Sequence, residues 1–150
     1  MCPLTSLYYV PQSIYQDAVF LDTSAFIELA LKNPDALACE SQIASYLIPT
    51  YTTTLIIAET HRRLLYDHNE NLAFAFLSQV LSSNVNIIRH DKEADTRAKD
   101  ILSQYWALKL TFADSVSFAV MLSLGIAKSF TYDNNHFQAL GFVTYPPFYP

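Results

Sequence analysis

Four acidic residues of this chain, Asp22, Glu59, Asp114 and Asp133, stand where carboxylates can do chemistry. Asp22 directly follows the short apolar run AVFL, and Asp133 follows SFTY, both of which read as strands. Asp114 opens a helix after a loop, and Glu59 falls in the first turns of the helix that follows YTTT. In an open parallel sheet, ligands sit beyond the carboxyl ends of the strands, and the following helices start at that same edge. All four acids can therefore converge. Carboxylates brought together repel one another, so such a group makes sense chiefly as a site for a hard divalent cation with an oxygen-rich shell. One or two such ions can activate a water on one side of a phosphodiester and stabilise the leaving oxygen on the other. Each acid also has a plainer use: Asp22 and Asp114 as helix N-caps, Asp133 as a turn residue in DNN, and Glu59 as a partner of Arg62 or Arg63 one turn on.

The elements that must position these acids alternate along the chain. AVFL, over residues 18–21, is apolar on consecutive positions, as in a parallel strand covered on both faces. SAFIELALK has helical spacing and is stopped by Asn33-Pro34; a second helix follows over about residues 34–47. YTTT predicts a strand and LIIAETHRRLLYDH a helix. NLAFAFLSQVLS continues as a helix, NVNII as a strand, and DKEADTRAKDILSQYWALK as one polar-faced helix opening at Asp91. FADSVSFAVMLSLG reads as a buried helix closed by Gly125, followed by the strand AKSFTY and a last short strand around Phe142 and Val143. This alternation predicts an α/β fold, a parallel sheet flanked by helices.

Composition bounds the function classes. With 150 residues, 51% of them hydrophobic and 15% charged, the chain suits one domain with a continuous core. Its two glycines, Gly125 and Gly141, exclude both a phosphate-cradling GxxxxGK loop and a GxGxxG fingerprint. Cys2 and Cys39 form no CxxC pair, and His61, His68, His90 and His136 match no transition-metal spacing, which favours Mg2+ or Mn2+. No run is long and apolar enough for a membrane span, and the first residues lack the pattern of a secretion signal, so a cytoplasmic location is expected. The single acid in DTS argues against receiver domains and haloacid-dehalogenase-like phosphatases, which need paired acids there.

The segments VFLDTSAFIEL, LIIAETHRRL, LTFADSVSFAVM and SFTYDNNHFQALGF resemble the four acidic motifs of PIN-domain ribonucleases, the VapC-type toxins in particular, across residues 18–143. The resemblance implies a PIN-like fold with a central parallel sheet of about four to five strands, carried by residues 18–150 behind an N-terminal extension of residues 1–17. It implies that Asp22, Glu59, Asp114 and Asp133 are the catalytic, metal-binding acids for Mg2+ or Mn2+, that Ser24 supports the first, and that Phe137 is core. Ala113 departs from the pattern, which usually has a polar residue just before the third acid. The implied activity is metal-dependent endonucleolytic cleavage of RNA, with a cognate antitoxin protein as partner and a homodimer as the assembly.

The net charge of −5 runs against a nucleic-acid partner. Setting the four site acids aside brings it to −1, and bound cations would reverse the local sign. Arg62 and Arg63, one turn beyond Glu59, are the expected phosphate contacts, with Arg97, Lys99 and Lys109 as more remote ones. A rival reading, motivated by the modest basic content, is a non-catalytic RNA-binding or assembly module with the same fold.

Overall fold

The computed structural model describes residues 18–146. Strand β1 (Val19–Leu21) is followed by α1 (Thr23–Ala30) and α2 (Pro34–Ser45), then β2 (Thr50–Thr53), α3 (Thr54–Asp67) and α4 (Glu70–Ser82). Next come β3 (Asn86–Ile88), α5 (Lys92–Gln104), a 3-10 turn (Trp106–Leu108) and α6 (Phe112–Leu124). The described chain closes with β4 (Lys128–Phe130), α7 (Asn134–Ala139) and β5 (Val143–Tyr145). The expected N-terminal extension and the proline-rich C-terminus beyond residue 146 lie outside the described residues.

The five strands form one parallel sheet, as the alternation predicts, and their order is β3-β2-β1-β4-β5. Central strand β1 is buried at all three positions, which explains its uninterrupted apolar run: helices cover both faces and leave no side for a polar residue. The chain builds outward from β1 through β2 to β3, then crosses back to lay β4 on the other side. That reversal opens a crevice beyond the carboxyl ends of β1 and β4, the place where open α/β sheets bind ligands.

Two readings of the sequence are corrected here. The segment from Asp91 to Lys109 is not one helix: α5 ends at Gln104, and Lys109 takes a left-handed backbone with φ of 54°. No proline or glycine marks this break. It arises because α5 packs along α6, so the chain must turn between them. The DNN segment is more than a turn, since Asp133 leads into the short helix α7, whose Phe137 is fully buried. The expectation that Phe137 is core is met, and Gly125 closes α6 with φ of 69° as its position suggests.

An aromatic cluster locks α6 to the last elements. Phe118 meets Phe137 edge-on at 4.8 Å between centroids and stacks on Phe142 at 5.6 Å. Phe118 and Phe137 are fully buried, so the helix that carries Asp114 is tied to the helix that follows Asp133.

Candidate active site

Asp22 sits at the tip of β1, and the sheet register determines its neighbour. Phe20 pairs with Ser129 and Leu21 with Phe130, so the next residues, Asp22 and Thr131, emerge side by side between β1 and β4. The Thr131 hydroxyl donates to Asp22 Oδ2 at 2.8 Å, and the Ser24 hydroxyl donates to the same oxygen at 3.1 Å. These hydroxyls also accept backbone protons, Ser24 Oγ from Tyr132 N at 2.8 Å and Thr131 Oγ1 from Asp133 N at 2.9 Å. With each single hydroxyl proton given to Asp22, the 3.1 Å contact between the two oxygens is an approach rather than a bond. The carboxylate is thus held by hydroxyls that are themselves oriented by the backbone entering α7.

The plainer role of Asp22 as a cap does not occur. Five of the seven described α-helices have an N-cap side chain that accepts a backbone N–H; the two that lack this bond begin at Asp22 and Asp133. Asp114 is not the cap of α6 either. Thr111 caps that helix, and Asp114, three residues on, accepts from Thr111 N at 3.1 Å in a capping box. Thr111 therefore supplies the polar support that Ala113 does not.

Electrostatics join three of the four acids. Asp22 is only 5% exposed, and its carboxyl is pushed up to about 6, first by burial and further by the charge of Asp114. The Thr131 hydrogen bond opposes that rise. Glu59, half-buried in the second turn of α3, is also raised, by burial and then by Asp114, while Arg63 and Arg62 pull it down. The Thr23 hydroxyl donates to Glu59 Oε2 at 3.4 Å. Asp22 and Glu59 therefore both feel the charge of Asp114, and a bound cation would oppose the rise of each.

Asp133 is placed differently. Its backbone is tied to Thr131, yet its carboxylate pairs with its own helix, His136 Nδ1 lying 2.8 Å from Asp133 Oδ2. Among the described residues no three His, Cys, Asp or Glu side chains stand close enough to hold a metal ion as they are arranged. The donor set nonetheless fits a hard cation: oxygen ligands only, two of them with raised proton affinity, around a crevice at the strand ends. Arg62 and Arg63 are exposed on Glu59's helix, Arg62 lying over the Tyr66 ring at 5.7 Å from its centroid.

Thr131 is the site residue that sequence reasoning missed. Its only signal was a hydroxyl two positions before an acid at a strand end. Thr131→Val is expected to destabilise the fold by about 1–3 kcal/mol, because the buried Asp22 carboxyl loses a donor and the half-buried N–H of Asp133 loses its acceptor. Chemical denaturation measures this, and an unchanged midpoint would show that the hydroxyl is not what holds the two strand ends.

A parallel sheet in this order, with acidic residues at the carboxyl ends of its central strands, defines an α/β domain. The sequence pattern of the PIN domain matches residues 19–143, and the chain belongs to that family. The structure is similar to that of the Mycobacterium tuberculosis VapC20, a sarcin-ricin loop cleaving toxin, with 25% identity and a TM-score of 0.73 over 83% of this chain and 96% of that one. It also resembles a toxin-antitoxin complex from Klebsiella pneumoniae, at 20% identity and a TM-score of 0.61, over 84% of this chain and 96% of that one. FitAcB from Neisseria gonorrhoeae is similar at 17% identity and a TM-score of 0.65, over 88% of this chain and 99% of that one. No curated protein matches the chain in sequence. Among the described residues no helix is long and apolar enough to cross a membrane.

Proposed function

We propose that this protein is a metal-dependent endoribonuclease that hydrolyses RNA phosphodiester bonds as the toxin of a toxin-antitoxin pair. The observation that carries the reading is Asp22: buried, unused as a cap, and raised by that burial and, to a smaller extent, by its neighbour Asp114. Asp22, Glu59 and Asp114 would hold Mg2+ or Mn2+, with Asp133 joining once released from His136. The ion, when bound, supplies charge stabilisation at the phosphoryl oxygens and a more acidic water. Ser24 and Thr131 hold Asp22 Oδ2 in place, and Thr23 does the same for Glu59. Arg62 and Arg63 contribute positive charge at the rim, suited to phosphates of the strand.

RNA as substrate is supported by membership of the PIN family and by the similarity to VapC20, a sarcin-ricin loop cleaving toxin. An antitoxin partner is supported by the similar toxin-antitoxin complex and by an apolar groove of about 430 Å³, lined by Leu21, Phe26, Leu29, Leu72, Phe76 and Val80. Lys32 and Glu40 also line it, which suits an amphipathic antitoxin segment. A homodimer and a cytoplasmic location belong to the same reading.

Incubated with RNA, the protein is expected to cleave in Mg2+ or Mn2+ and to stop when a chelator is added. Failure to cleave structured or single-stranded RNA with either metal would overturn the enzyme reading. The pairing of Asp133 with His136 favours the rival reading of a non-catalytic module, which metal-insensitive RNA binding without turnover would establish.

A further inference from the structure

Resting on that RNA-cleaving function, we propose that the cleft between α5 and α6 is a subsite for an unpaired nucleotide beside the cleaved bond. Arg89 and Arg97 hold its phosphate, and its base lies on Phe112, which stands outside the cleft's lining against His90. The cleft has a volume of about 160 Å³ and an apolar floor that includes Ile88, Ala119 and Val120.

Its rim holds two exposed guanidinium groups, Arg89 at the end of β3 and Arg97 in the second turn of α5. Among the described residues neither has a carboxylate within ion-pair distance, although Asp91 and Glu93 line the same cleft. The reason is that the nearby acids are engaged elsewhere. Asp91 caps α5 through Ala94 N, and Asp95 takes His90 Nδ1. Two guanidinium forks left in water beside a nuclease site match the bidentate geometry of a phosphate. Asp91 and Glu93, the two acids in the lining, oppose this charge, and Glu93 is the one without a hydrogen bond to the helix start.

His90 connects the cleft to the acids. Fixed by Asp95, its ring meets Phe112 edge-on, 6.3 Å between centroids at 90°. Phe112 is the first residue of α6, 44% exposed, and Asp114 follows two positions later. A large aromatic ring left in solvent next to a cation site is a stacking platform. Only an unpaired base offers it a free face, so single-stranded RNA is the form that fits.

Binding of a short fluorescent single-stranded RNA, and of the same sequence as a duplex, is followed by anisotropy across salt concentrations in the Asp22→Asn background, which prevents cleavage. The parent is expected to prefer the single strand. Arg89→Gln with Arg97→Gln should weaken binding about tenfold at low salt and flatten the logarithmic salt slope by about 0.7, the value for one phosphate contact on a single strand. Phe112→Ala should weaken binding without changing that slope, and Glu93→Gln should tighten it. All four side chains are exposed, so the variants are expected to keep the parent's unfolding temperature. An unchanged affinity and slope in the double arginine variant, with RNA still bound, would overturn the subsite alone. A parent that binds no RNA would overturn the subsite and the proposed function together.

Discussion

Asp22→Asn is expected to abolish metal-dependent RNA cleavage while making the metal-free protein more stable, two effects of opposite sign from one buried charge. An acid contributing about 4 kcal/mol of transition-state stabilisation through a cation corresponds to roughly a thousandfold in rate. The gain in stability follows from the raised carboxyl. Asp22 moves from 3.8 to about 6 on folding, so between those values the folded state binds more protons than the unfolded one. Its contribution is fully present below about pH 4 and is lost as the pH rises through 6. Above that the ionised carboxylate costs up to about 3 kcal/mol, and asparagine removes the charge while its amide oxygen can still accept from Ser24 and Thr131. Thermal unfolding in chelator should show the variant roughly 6–12 °C above the wild type at pH 8, with the gap closing toward pH 4. A variant that melts at or below the wild type at pH 8 would show that Asp22 carries no such cost.

The largest loss of stability is expected from Phe118→Ala. Its ring is fully buried between Phe137 and Phe142, and removing it leaves a cavity where three elements meet. Substitutions of this kind cost about 3–5 kcal/mol, from lost transfer energy plus unfilled volume. Chemical denaturation should give a lower midpoint with an unchanged slope, as for a native state weakened but still cooperative. Because α6 carries Asp114 and the cluster anchors α7 next to Asp133, metal affinity should fall with stability. Phe118→Leu should recover most of both. A loss under about 1 kcal/mol for the alanine variant would mean that the surroundings collapse around the site.

Much of the fold is readable from local patterns. The fully apolar run before Asp22 marks a strand covered on both faces, and Gly125 marks where α6 ends. Where local pattern misleads, a distant contact is responsible. The segment from Asp91 to Lys109 has continuous helical propensity, but packing of α5 along α6 requires a turn after Gln104. Helix α7 is too short for a periodic signal, and burial of Phe137 against Phe118 holds it. Asp133 looked equivalent to Asp22, yet its carboxylate is turned to His136.

By itself, the sequence determined the alternating elements, the family to which the chain belongs, and the order of four acids at strand ends and helix starts. Their type and spacing are local properties, carried by a few neighbouring residues each. The tertiary structure alone decided which acids feel one another, that Asp22 is not a cap, and that Thr131 holds it. Those outcomes depend on strand order and on the register of β1 against β4, which join residues 109 positions apart. Of the four acids, a buried Asp22 and a half-buried Glu59 both feel Asp114, while the carboxylate of Asp133 is turned to its own helix.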